Sequence, residues 1–245
     1  MRLDRFYSDN FEFIENEEFH HLYRVLRHKK GDKILVFDGK GNEYICEILE
    51  ILKDKAKIKP IEKLESREYH FHIAIAQALI KKERFEIFLE KSVELGVKEI
   101  YPIITKYSVV KLEEKKERWE KIIINACKQS HRQIVPKLHN IKSLTEIIEI
   151  SKDYDLRIFG SVHSKKNILE FEKSDKVLIV IGPEGGLSED EELLLKEHEF
   201  LDFSLGNFIL RSETASIVAI SSIILNLRRG TRPLPGGGTQ LFDLE

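Results

Sequence analysis

The 245-residue sequence holds only two cysteines, one methionine, one tryptophan and six prolines. Cys46 and Cys127 lie far apart, in neither a CxxC pair nor a metal-ligand spacing, which argues against a disulfide framework and for reduced thiols. No apolar run reaches the roughly 18 residues that a membrane-spanning helix requires. The opening MRLDRFYSDNFEF lacks the apolar segment of a secretory leader, so a cytoplasmic protein is expected. Excess charge is missing too: 40 Lys and Arg against 42 Asp and Glu leave a net charge of -2. A nucleic-acid partner would therefore have to be met by a local patch. The nine histidines form no HExxH or comparable cluster, so no metal is expected, and His70 and His72 read as structural residues on one strand face. Neither GxGxxG nor GxxxxGK[ST] occurs, which speaks against a nicotinamide oxidoreductase and a P-loop enzyme.

What is present divides the chain. A hydrophobic share of 42% is enough to build the core of one large or two ordinary domains. Residues 20–30, HHLYRVLRHKK, gather four cations and three histidines, with Phe19, Leu22, Val25 and Leu26 spaced for one buried helical face. Three short strand-like runs follow (33–37, 43–49 and 56–60), the first two joined by the hairpin signal DGKGN at 38–42, so residues 1–68 read as a small β-barrel. The polar stretch 62–68 reads as a linker. From His70 the pattern alternates strands (70–79, 99–105, 156–160, 177–181, 200–205) with helices (82–95, 115–130, 214–227), as a covered parallel sheet requires. The last helix, TASIVAISSIILNL, is apolar almost all round and should be buried on more than one side, within the domain or against a second subunit. Residues 230–245 change composition and read as a flexible tail or an added extension.

Chemistry concentrates in three loops. Ile181-Gly182-Pro183-Glu184-Gly185-Gly186 sits at the carboxyl end of a strand, where α/β proteins bind ligands and where glycine lets backbone approach closely. The helix behind it opens with Ser188 and Glu191 as a capping box and carries Glu189, Asp190, Glu191 and Glu192 in its first turn. Those acids already use the helix dipole and would repel phosphate, so a small ligand with a positive centre fits better than a nucleotide polyphosphate. The second loop, LGNFILRSETAS from Leu205 to Ser216, also breaks at a glycine and sets Arg211 and Glu213 at a helix start. The third, ACKQSHRQIVP from Ala126 to Pro136, ends a helix with Gln129 and Arg132 at i, i+3.

Taken together, and with QALIKKERFEIFLEKSVELGVKEIYPI at 77–103, these motifs resemble the RsmE-type ribosomal RNA (uracil N3)-methyltransferases of the SPOUT superfamily; HHLYRVLRHKKGDKILVFDG resembles that family's PUA-like domain. The resemblance runs to about residue 229, with Asn207 standing where a proline is frequent. It implies an α/β fold: a PUA-like RNA-binding barrel over 1–68, and a trefoil-knotted SPOUT methyltransferase domain over 69–229, acting as a homodimer. It further implies S-adenosylmethionine held by Ile181 to Gly186 and by Leu205, Gly206, Leu210 and Thr214, and methyl transfer to N3 of a uridine in 16S ribosomal RNA of the small subunit. Arg211 would stabilise charge on the base carbonyls, and Glu213 would either accept the N3 proton or orient Arg211. Gln129 and Arg132, from the same or the partner subunit, would position RNA. Lys81, Lys82 and Arg84 would meet phosphates, and Arg24, Arg27 and Lys30 would contact RNA from the barrel. Two alternatives stay open: a SPOUT methyltransferase acting on another RNA atom or on transfer RNA, and a non-catalytic RNA-binding ribosome-assembly factor.

Overall fold

The computed structural model describes residues 3–110, 112 and 114–228, so the expected tail at 230–245 lies outside the described residues. Two sheets organise the chain. The first has the order β1-β3-β4-β5-β2, built from β1 (Arg5–Tyr7), β2 (Phe13–Glu15), β3 (Lys33–Phe37), β4 (Glu43–Ile51) and β5 (Lys55–Lys63). Its strands enclose Phe6, Ile14, Leu22, Ile34, Val36, Cys46 and Ile48. The β3–β4 hairpin forms as its sequence dictates: Asp38 Oδ1 accepts from the backbone of Lys40 and Asn42, while Gly39 and Gly41 take φ of +71° and +105°.

The second sheet has seven strands, all parallel: β6 (His72–Ala78), β7 (Glu99–Ile104), β8 (Lys137–Leu138), β9 (Lys142–Ser143), β10 (Leu156–Gly160), β11 (Lys176–Ile181) and β12 (Leu201–Phe203). Their order is β12-β10-β11-β6-β7-β8, with β9 also on β7. Strand alternation sends Ile73, Ile75, Val177 and Ile179 to one face, where they meet α2 (Lys82–Glu94), α3 (Glu117–Ser130) and α6 (Ser212–Arg228). Ala74, Ala76, Leu178 and Val180 point the other way, toward α4 (Leu144–Ser151) and α5 (Glu189–Glu197). Both cysteines are buried and free, and burial pushes each thiol up to about 12. Among the described residues no helix is long and apolar enough to cross a membrane.

Three expectations need correction. The basic helix is short: α1 (Asn16–His20) passes into a π-turn over His21–Val25, with Leu26 N–H bonding the carbonyl of His21. That wider i→i+5 turn rotates the following side chains away from the face Leu22 buries, so Val25 and Leu26 are 57% and 38% exposed rather than packed. Nor does 62–68 behave as a linker. The strand β5 runs on to Lys63, and the Glu68 carboxylate is held by Arg132 Nη2 at 2.9 Å and by the backbone N–H groups of Gln133 and Ile134.

The third concerns the segment after α3. His131 takes a left-handed φ of +57°, so Arg132 lies beyond the helix and does not share a face with Gln129. Arg132 is 7% exposed, and its guanidinium is spent on Glu68 and the carbonyls of Val93 and Val97. Around it, Arg5 donates to Glu43 and to the carbonyls of Cys127 and Arg132, Gln133 Nε2 donates to Glu43, and the hairpin backbone at Gly39 and Gly41 pairs with Val135 and Gln133. Arg132 to Val135 thus form a buried joint between the two sheets.

Candidate functional site

The carboxyl ends of the parallel strands gather the loops that carry the chemistry. Ile181 ends β11; Gly182 and Pro183 are buried, while Glu184 and Gly185 face solvent. Gly186 turns the loop with φ of +74° and an N–H bond back to the Pro183 carbonyl at 2.9 Å. A Cβ on Gly182 would lie 2.9 Å from the backbone of both Gly186 and Leu187, so the chain folds back too closely for a side chain there. Ser188 then caps α5, and the capping box with Glu191 forms as its spacing predicts. The acids of that first turn also reach a neighbouring loop, because Glu191 accepts from Lys106 N–H and Asp190 pairs with Lys106 Nζ at 3.1 Å.

Leu205 to Leu210 follow β12. Leu205 and Leu210 are half-buried and Gly206, with φ of +124°, is exposed. Phe208 and Ile209 stand 87% and 88% in solvent, an unusual exposure for two large apolar side chains. Arg211 is exposed just before α6, and Thr214 is half-buried in its first turn. Glu213 is buried and its Oε1 lies 3.8 Å from Arg84 Nε, while its Oε2 is buried with no hydrogen-bond partner. Of the two roles open to Glu213, orienting Arg211 or accepting a proton, the ion pair that forms bears on neither, since its partner is Arg84. Arg84 also reaches Glu184 at 3.4 Å, so one guanidinium spans both glycine loops. Lys81 and Lys82, at the start of α2, are exposed beside it.

Three residues here were not singled out from sequence. Gln77, fully buried in β6, donates to Ser212 Oγ at 2.8 Å; Ser212 donates to the Gly182 carbonyl at 2.6 Å; and Ser216 donates to Gln77 Oε1. The signal was a lone amide within the apolar run IAIAQALI, and serines at i, i+4 on the helix that faces it. The structure therefore brings together Ile181 to Gly186, Arg84, Ser212 and Glu213. It leaves Gln129 exposed on α3, and Arg24, Arg27 and Lys30 exposed on the other sheet. Those three cations have no acidic partner among the described residues; Arg24 lies over the Tyr23 ring, beside a cavity also lined by Phe19, His20, Lys53 and Lys55.

Comparison with known proteins agrees with this layout. Residues 67–224 match the RNA methyltransferase domain family and residues 14–61 the RNA methyltransferase PUA domain family. The ribosomal RNA small subunit methyltransferase E of Bacillus subtilis is 36% identical over 86% of this chain and 88% of its own length. The enzyme of that name from Neisseria gonorrhoeae, solved bound to S-adenosyl methionine, superposes with a TM-score of 0.85 at 29% identity, covering 91% of this chain and 98% of the other. A methyltransferase from Legionella pneumophila, in complex with bound SAM, gives 0.83 at 32% identity, covering 92% and 98%. The fold is accordingly an RNA methyltransferase domain preceded by a PUA domain. On these grounds the chain belongs to the ribosomal RNA small subunit methyltransferase E family, a family of RNA methyltransferases.

Proposed function

We propose that this protein transfers a methyl group from S-adenosylmethionine to N3 of a uridine in 16S ribosomal RNA of the small subunit. The observation that carries the proposal is the meeting of the first glycine loop with a charged helix start: Ser212, between Arg211 and Glu213, donates to the Gly182 carbonyl, and Arg84 pairs with Glu184 and Glu213. Open backbone at Gly186 and Gly206, where a Cβ would meet nothing within 4 Å, leaves room for a ligand. The buried, unpartnered Glu213 Oε2 suits a site receiving a positively charged group. Loop residues Ile181 to Gly186, Leu205, Gly206, Leu210 and Thr214 are assigned to the cofactor, which when bound supplies a methyl group on a positively charged sulfur.

The chain's own residues must make uracil N3 nucleophilic, because at neutral pH its nitrogen carries a proton. Loss of that proton leaves an electron pair on N3 to form the new N–C bond and spreads negative charge onto the flanking carbonyl oxygens. Arg211, exposed just before α6, is assigned to hold that charge. Glu213 is the candidate proton acceptor at Oε2, with Arg84 fixing its other oxygen. Lys81, Lys82 and Arg84 are assigned to the RNA backbone, with Gln129 a further contact from α3. Arg24, Arg27 and Lys30, beside stacked Phe19 and Tyr23, are assigned to RNA on the barrel. We take 1–68 and 69–229 as the domains, a cytoplasmic location, and a homodimer in which the half-exposed face of α6 and the Phe208-Ile209 pair are covered by a second copy.

The test is methyl transfer from labelled S-adenosylmethionine to purified small subunits lacking the modification, with naked ribosomal RNA and transfer RNA in parallel, followed by nucleoside mass analysis. Label recovered as 3-methyluridine from subunits is the expected result. Label on another atom or on transfer RNA would replace the substrate assignment, and cofactor binding lost altogether would favour a non-catalytic assembly factor.

A further inference from the structure

The polar chain through Gln77 runs in one direction, and its direction has a cause. Gln77 Nε2 donates at 2.8 Å both to the Ala78 carbonyl and to Ser212 Oγ. A backbone carbonyl only accepts, so the amide cannot be flipped without setting oxygen against oxygen. Both amide protons are thereby used. Ser212 Oγ, already accepting from Gln77, has its single proton left for the Gly182 carbonyl, which it meets at 2.6 Å. Ser216 closes the chain by donating to Gln77 Oε1. Gln77 and Ser216 are fully buried and Ser212 is 4% exposed, so water does not substitute for any of these partners.

The two ends of this chain matter. Gly182 is where β11 gives way to the first glycine loop, and that loop returns within 2.9 Å of the place a Gly182 Cβ would occupy. Ser212 is the first residue of α6, between Arg211 and Glu213. A single amide in the middle strand β6 therefore couples the loop assigned to the cofactor with the helix start assigned to the uracil. On the surface a second bridge, Arg84 between Glu184 and Glu213, spans the same gap at 3.4 and 3.8 Å with a half-exposed guanidinium, which is weaker and salt-sensitive.

We propose that Gln77 is a positioning residue for methyl transfer: by fixing the Ser212 O–H toward the Gly182 carbonyl, it holds the 182–186 loop in the shape that binds the cofactor. This rests on the cofactor assignment made above. A residue that merely satisfies core polarity would affect stability alone, and its replacement together with its partners by apolar groups would be nearly neutral for binding.

The experiment is a double-mutant cycle on the full chain, reading S-adenosylmethionine affinity by calorimetry and global stability by urea denaturation. The variants are Gln77→Met, Ser212→Ala and the pair. Each single change should weaken cofactor affinity by about tenfold or more, and the double variant should be no weaker than the worse single one, because both break one link. Ser216→Ala, which leaves the donor chain from Gln77 to Gly182 intact, should stay within about threefold of wild type. Singles that bind like wild type, or whose losses multiply in the double variant, overturn the proposal while leaving the cofactor assignment intact. Wild type that does not bind S-adenosylmethionine overturns both. If Gln77→Met does not fold, Ser212→Ala is read alone, and affinity within about threefold of wild type overturns the proposal.

Discussion

Single residues in this fold differ sharply in what surrounds them, and the differences are measurable. At the amino end of the parallel sheet, Glu99 accepts from His139 Nε2 at 2.6 Å and Tyr101 at 2.8 Å, with His72 Nε2 3.0 Å from its other oxygen. The hydrogen bond from His139, with His72 close to the other oxygen, holds the Glu99 carboxyl well below its ordinary 4.5. A carboxyl depressed in the folded state binds its proton more weakly there than when unfolded. Its contribution is therefore present in full above about pH 4.5 and is lost as pH falls below that value. Melting temperature should drop between about pH 5 and pH 3, and Glu99→Gln should flatten that drop while lowering stability by about 2 kcal/mol near neutrality. An unchanged acid limb in the variant would remove Glu99 as its cause. The glycines of the first loop give a second contrast. Gly182→Ala places a methyl against backbone at 2.9 Å and should abolish cofactor binding, whereas Gly186→Ala, in open space at φ of +74°, should cost only about 1–2 kcal/mol of backbone strain. Equal affinities for the two variants would contradict the packing that closes this loop.

At the level of elements, the legible signals were those with a local cause. The capping box Ser188–Glu191, the hairpin at 38–42 and the strand alternation of β6 and β11 follow from the chemistry of a few neighbouring residues. Ser188→Ala should accordingly cost about 1 kcal/mol, read as a fall in the urea midpoint. Signals that depend on distant partners were not legible. The string KQSHRQ advertises charge, and only the fold reveals that Arg132 is enclosed by Glu68, Val93 and Val97, pieces of chain up to 64 positions away. The π-turn after α1 was equally hidden, since one extra residue per turn leaves no mark on an apolar spacing that otherwise fits a helix. The same holds for Glu213, whose neighbour in sequence is Arg211 but whose ion pair is with Arg84 on another helix. The joint supplies its own prediction. Arg132→Ala leaves the Glu68 carboxylate buried beside a lost cation and should destabilise the protein by about 3–5 kcal/mol. If the variant unfolds like wild type in urea but binds RNA less well, Arg132 contacts RNA after all and the reading of this segment as a joint is wrong.

At the scale of the whole molecule, α6 and the loop before it keep large apolar side chains in solvent. One side of α6 packs on the sheet through Ala219, Ile220, Ile223 and Leu227, which removes the need for the rest of the helix to be apolar. Yet Ile217 and Val218 are only half-buried, Leu225 is 62% exposed, and Phe208 and Ile209 project beside the helix start. Isolated exposed leucines are ordinary, but five half-buried or exposed apolar residues on one helix and the loop leading into it are what a second copy joined through this face would cover. A homodimer joined through this face would make a sharp distinction possible. In a monomer, Leu225→Glu alters a solvent-exposed position and should change neither mass nor stability appreciably. In a dimer joined through this face, the same change buries a carboxylate at the interface without a partner. Sedimentation equilibrium should then find wild type at twice the 28.7 kDa chain mass and Leu225→Glu at the chain mass, with the fold retained by circular dichroism. A wild type that sediments at the chain mass, or a variant that stays dimeric, would mean that the apolar face of α6 is covered by something other than a second copy.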